Sequence, residues 1–197
     1  MPNTSATGGY LTQTASSIEG QALRRFLQSV IAGVTGIGVT LVRPMWQQNP
    51  PPIPSIDVDW CGFGITAQRP EKGAYHEQGD TDATLLRHEQ LDLLCAFYGP
   101  NCLSNAAILR DGIELIAQNR EQLFLAGMGV WGFGDITHAP ELVNDRFFDR
   151  ADITMTINRE VRRTYSILHF VSAYGTILAD DAASQPLTQN FSSTQGV

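Results

Sequence analysis

From Thr84 to Tyr98 the chain alternates with a period of two. Leu91, Leu93, Cys95 and Phe97 fall on one face and His88, Gln90 and Asp92 on the other, which predicts a strand. The same period returns in Ala151, Ile153, Met155, Ile157 and Val161, set against Asp152, Thr154, Thr156, Asn158 and Glu160, a long strand with a polar outer face. Ser55 to Gln68 alternates Ile56, Val58 and Trp60 with Asp57 and Asp59 and reads as a third strand. Shorter strands are expected over Val39 to Gln47 and Val130 to Thr137, and Ile167 to Val171 extends the long strand or forms another. Helical spacing governs Leu23, Phe26, Leu27, Val30, Ile31 and Val34, and again Cys102, Ala106, Leu109, Ile113 and Ile116. Ser16 and Glu19 stand three apart as a capping box expected to open the first helix, which Gly33, Gly36 and Gly38 end. Asn119, followed by Gln122, is expected to cap a short helix reaching Leu125.

Between these elements, Asn49-Pro-Pro-Pro-Ile-Pro54 can be neither helix nor central strand and reads as a stiff polyproline-like connection. Arg69 to Asp82 is polar and glycine-containing, hence a long loop. Residues 1–15 and 181–197 are rich in Ser, Thr and Gln or Gly without an apolar period, and read as extended terminal arms around one domain over 16–180. Paired strands with helices between the blocks predict an α+β fold: a mainly antiparallel sheet with helices packed on one face. The βαβ rhythm of a nucleotide-binding fold is absent, and no internal repeat is evident.

Length changes this picture little, since 197 residues suit one domain with a real core. Composition changes it more. Charged residues are 17% of the chain against roughly 25% in ordinary domains. Lys72 is the sole lysine among 13 basic residues. Interfaces enrich arginine and deplete lysine, so this bias suits a subunit packed against others; a GC-rich genome would produce the same bias. A net charge of −7 argues against broad binding of nucleic acid or an anionic membrane. Neither a signal peptide nor a membrane helix is expected, and the odd count of Cys61, Cys95 and Cys102 suits a reducing compartment.

Candidate chemistry is sparse. His76, Glu77, Asp80 and Asp82 gather in one loop, but without the ligand spacing of a calcium site, and a solvated acidic loop accounts for them. Asp57 and Asp59 share a strand face, as paired carboxylates or as plain solvent exposure. Asp145, Asp149 and Asp152, interleaved with Arg146 and Arg150, read as an ion-paired loop. Gly62-x-Gly64 and Gly132-x-Gly134 sit among aromatics, which suits bulges or tight bends. There is no nucleophile elbow and no phosphate-binding glycine loop, so no enzyme, metal or cofactor is expected.

The segment Arg159-Glu160-Val161-Arg162-Arg163-Thr164-Tyr165 is the most unusual. On a strand, Arg159 and Arg163 share one face with Val161 while Glu160 and Arg162 take the other. Arg159, Arg162 and Arg163 are therefore candidate interface residues offering guanidinium forks to carboxylates of adjacent subunits; a solvated strand face is the plainer alternative. Tyr10 and Leu11 in the first arm, and Leu187 and Phe191 in the second, are the candidate anchors on neighbouring chains.

Several segments taken in order resemble the phage neck terminator family across roughly residues 39–180. They are Asn49-Pro-Pro-Pro, Arg87-His88-Glu89 leading to Phe97-Tyr98-Gly99, Leu109-Arg110-Asp111-Gly112, Asn119-Arg120 before Leu123, Ala139-Pro140-Glu141-Leu142-Val143-Asn144, and Arg150-Ala151-Asp152. The resemblance implies a virion structural protein at the head–tail junction of a tailed phage, assembled in the bacterial host cytoplasm. Similar terminators form homo-oligomeric rings, usually hexameric, that cap the tail tube and dock it to the head. The implied partners are the tail tube protein and a head-completion or neck protein, with DNA passing through unbound. The family implies an α+β fold, no cofactor and no catalysis. Another ring or tube component of the same particle, or a module binding a small molecule or peptide through the 69–82 loop, are the alternative readings.

Overall fold

The computed structural model describes residues 8–143, 145–167, 172–181 and 184–194. Along them run β1 (Gln13–Ser16), α1 (Gly20–Thr35), a 3-10 turn (Val39–Leu41), β2 (Val42–Pro44), β3 (Trp60–Pro70), β4 (Tyr75–Gln78) and β5 (Asp82–Tyr98). There follow α2 (Cys102–Leu115), α3 (Ala117–Leu125), β6 (Met128–Phe133), β7 (Thr137–His138), β8 (Glu141–Val143), β9 (Arg146–Phe148), β10 (Arg150–Ser166), β11 (Ser172–Asp181) and β12 (Ser184–Thr194).

β5 and β10, the two segments of clearest period-two pattern, pair antiparallel along their whole length, from Arg150 opposite Tyr98 to Ser166 opposite Asp82. β3 and β4 pair with the other edge of β5, and β2 closes that side, parallel to β3. The other edge of β10 is covered by three short strands in succession: β7 at Ala151, β6 from Met155 to Arg159, and β1 from Arg163 to Tyr165. The result is an eight-stranded sheet. One face carries Phe63, Leu91, Leu93, Phe97, Ile153, Met155 and Ile157, all buried beneath Leu27 and Ile31 of α1 and Leu109 and Ile113 of α2. Burying each such side chain is worth roughly 1.5–3 kcal/mol, so this layer is the main source of stability. The α+β expectation, with a mainly antiparallel sheet and helices on one face, agrees with this architecture.

Local departures have local causes. The expected capping box does not form. Ser16 ends β1, and Glu19 is itself the residue before α1 and makes no side-chain cap. Its carboxylate turns instead to Arg163. α1 ends as expected at Gly36, whose φ of 75° brings its N–H 2.9 Å from the Ala32 carbonyl. The strand expected from Ser55 starts only at Trp60, because Asp59 is needed elsewhere: it accepts from Asn101 N at 3.0 Å and Asn101 Nδ2 at 2.8 Å, at the head of α2. The 69–82 loop is largely a hairpin, with β4 folded onto β5 and Gly79 N donating to the Asp82 carbonyl at 2.8 Å. Asn119 lies inside α3 and ties it to α2 by donating from Nδ2 to the Gly112 carbonyl at 3.0 Å.

β11 and β12 form an antiparallel hairpin of their own, and neither strand pairs with the eight-stranded sheet. The polar residues 184–194, read as part of an arm, thus have a strand partner in their own chain. No described helix is long and apolar enough to cross a membrane.

Candidate functional site

The apolar face of β10 continues from Ile157 into Arg159, Val161 and Arg163, just past the part of the sheet that α1 and α2 cover. Directly across the ladder from Arg159 is Glu89. Both side chains are buried, 3% and 5% exposed, and Nη2 and Nε of Arg159 donate to Glu89 Oε2 at 2.8 and 3.1 Å. Gln68 Nε2 donates to the same oxygen at 2.8 Å, and Arg159 Nη1 donates to the Ile18 carbonyl at 3.1 Å, just ahead of α1. Arg159 therefore does not offer its fork to a neighbour, because Glu89 and the chain entering α1 already fill it. Arg163 pairs with Glu19, which also stands 3.8 Å from Arg159. Only Arg162 of the three projects into solvent on the opposite face, 3.2 Å from Glu160. Tyr10 is 95% exposed; Leu11, beside it, is half-buried. Leu187 and Phe191 lie on β12, with side chains outside the described residues.

At the other end of the long strands, the outer face of the sheet carries a layered stack. The rings of Trp60 and Tyr98, opposite one another in the ladder, are parallel within 3° at 4.1 Å. Arg43 lies over Trp60 at 5.9 Å and Arg150 over Tyr98 at 5.5 Å. Arg150 is fixed in turn by two bonds to Asp152, at 2.7 and 2.9 Å, and one to Glu141 at 2.9 Å. Burial and the Glu141 carboxylate push the Tyr98 phenol up to about 12, against the opposing pull of Arg150. The polyproline connection folds onto this stack, with Arg43 Nη1 donating to the Pro52 carbonyl at 2.7 Å. Gly62 and Gly64 are not bends. They clear the space in which the side chains of Met45 and Trp46 rest on the sheet, and Trp46 reaches it with a φ of 55°. A cleft of about 380 Å³ remains between the connection and the stack.

Cys61, Cys95 and Cys102 are buried free thiols, and burial raises the thiols of Cys61 and Cys102, which disfavours the thiolate. Among the described residues no three His, Cys, Asp or Glu side chains converge as metal ligands would.

Compared with known families, residues 21–181 match the phage neck terminator proteins. The chain belongs to the phage neck terminator family. No curated protein matches it. The neck terminator family is one of structural proteins of the phage head–tail junction, which places this chain in the virion. The matched span runs from α1 to the end of β11 and so includes the Arg159–Glu89 pair, the aromatic stack and the polyproline connection. Sequence reasoning missed Glu89, Glu19 and the Trp60–Tyr98 stack. The available signal was a glutamate at an inward-facing position of an otherwise apolar strand.

Proposed function

We propose that this neck terminator assembles into a homo-oligomeric ring, hexameric as in similar proteins, that caps the tail tube and joins it to the neck of the head. The observation that carries this reading is the family match over the helices and every strand of the sheet but β1. The excess of arginine over lysine supports it, as does a hairpin whose strands, among the described residues, pair only with each other. Tyr10, Leu11 and Arg162 are the proposed contacts to neighbouring chains from the body of the subunit; Leu187 and Phe191 are those from the hairpin. The partners are the tail tube protein on one side and a head-completion protein on the other, with no cofactor involved.

Capping and head completion predict different particles when the chain is missing. If it caps the tube, electron micrographs of phage lacking it will show tubes grown beyond their normal length and unjoined to filled heads. Tails of normal length beside emptied heads would instead make it a head-completion protein. A subunit of net charge −7 also suits a channel through which DNA slides, since a phosphate backbone meets repulsion there. Purified protein should accordingly show no affinity for duplex DNA near physiological ionic strength. Binding that falls steeply with added salt would reveal a concentrated basic surface and a gripping role.

A further inference from the structure

The two margins of the eight-stranded sheet differ in chemistry. β6 lies at one margin, paired among described strands with β10 alone, and α3 runs beside it. There Phe124 and Trp131 are 78% and 72% exposed, next to a shallow groove of about 720 Å³ between α3 and β6. Glu121 and Arg120 line that groove, Glu114 lines the neighbouring hollow beside Trp131 together with Arg110 and Arg120, and Asp135 follows β6. Residues 110–135 hold four carboxylates against two arginines, Arg110 and Arg120, and Arg110 is engaged by Asp111.

At the opposite margin, β2 pairs among the described strands with β3 alone, and α1 packs beside it. Residues 20–56 contain Arg24, Arg25 and Arg43 and no acidic side chain. Gln28, which donates to the Val39 and Val42 carbonyls, fixes which side of α1 faces this margin, and Arg24 lies one turn before it. Val39, Trp46 and Ile53 are exposed here. Pro44 and the Gln28 amide blunt the edge of β2 itself, so what this margin presents is side chains and not a strand for pairing.

We infer that neighbouring copies of this chain join head to tail, the aromatic β6–α3 margin of one, net acidic over residues 110–135, receiving the α1–β2 margin of the next, net basic over residues 20–56. The inference rests on the ring reading and adds the surfaces that build the ring. Two exposed apolar patches on opposite margins of one sheet, rimmed by opposite charge, make a heterologous contact, and heterologous contacts close into rings where identical patches facing one another stop at dimers. Aromatic side chains within a charged rim are also the usual composition of such a contact.

The test uses the full chain carrying one of two substitutions. Trp131→Arg sets a cation against the basic margin of the neighbour, and Ile53→Glu sets a carboxylate against its acidic margin. Sedimentation should show each variant alone weakened in self-association by tenfold or more, the scale of a lost hot-spot residue. An equimolar mixture should associate where neither variant does alone, because one sound margin of each remains and the two altered margins meet with opposite charges. Wild-type assembly by either variant overturns the inference. So does a variant that dimerises alone, which would make the contact isologous, and so does a mixture that fails to pair. A wild-type chain that stays monomeric overturns the ring reading itself. If either substitution lowers the melting temperature, Phe124→Arg and Val39→Glu, exposed at the same two margins, repeat the test.

Discussion

Replacing Arg159 with methionine is expected to destabilise the neck terminator by about 3–5 kcal/mol, because it strands a buried carboxylate without its counter-ion. Glu89 is 5% exposed and its Oε2 receives hydrogen bonds from Arg159 and Gln68. Without the guanidinium, the amide of Gln68 alone would face that charge. The Ile18 carbonyl, where the chain enters α1, would also lose its donor. Methionine at both positions should recover most of the loss, since a buried pair exchanged for apolar side chains of similar volume is often neutral or stabilising. Urea unfolding of the two variants checks this, with an unchanged slope confirming that the same surface is exposed. A single-variant loss below about 1 kcal/mol, the scale of a surface pair, would show that water reaches the site. The assignment also changes how a charge-reversal experiment on this strand is read. Arg163→Glu would face Glu19 inside its own subunit, so lost assembly in that variant would report folding as well as contact. Arg162, on the other face and paired only with the exposed Glu160, is the arginine whose reversal disturbs its own subunit least.

Removing residues 168–197 should leave the melting temperature of the sheet within about 2 °C of the full chain, a change of less than about 1 kcal/mol, while joining of tails to heads is lost. Among the described strands β11 and β12 pair only with each other, and a two-stranded hairpin is at best marginally stable in water. Each also carries an outer edge of unpaired backbone groups, which favours a further strand or a covering surface. A neighbouring subunit or a tail component supplies that surface in the proposed ring. Hydrogen exchange measured on the isolated protein and on assembled necks separates the cases. Backbone amides of 172–181 and 184–194 should exchange quickly in the first and slowly in the second. Equal protection in both would mean that the hairpin is stable within its own subunit, and the docking role would fail.

Period two was enough to find β5 and β10 and to say which of their faces is buried, because a strand with one covered face writes its register into every second residue. The helices were legible for the same reason at a period of 3.6. What stayed hidden was pairing between distant residues. Arg159 looked like an interface residue because the glutamate that neutralises it stands 70 residues earlier and becomes its neighbour only through the β5–β10 register. The Trp60–Tyr98 stack is hidden for the same reason, and so is Asp59 serving the head of α2. The false capping box shows the reverse error. Ser16 and Glu19 have the local spacing, but β1 claims the serine for the edge of β10 and Arg163 draws the glutamate away.

The strand that pairs with the most others in the sheet is made late. Ribosomal synthesis delivers β1 to β7 first, yet β1, β5, β6 and β7 all find their partner in β10, whose last residues lie some 150 positions after β1. Until Ser166 has emerged, β5 presents one open edge and α2 has only half its platform. This is a high contact order, and such topologies fold slowly and stay open to wrong partners while they wait. A message cut short before position 150 would lack β10 and, with it, the strand partner of β1, β5, β6 and β7.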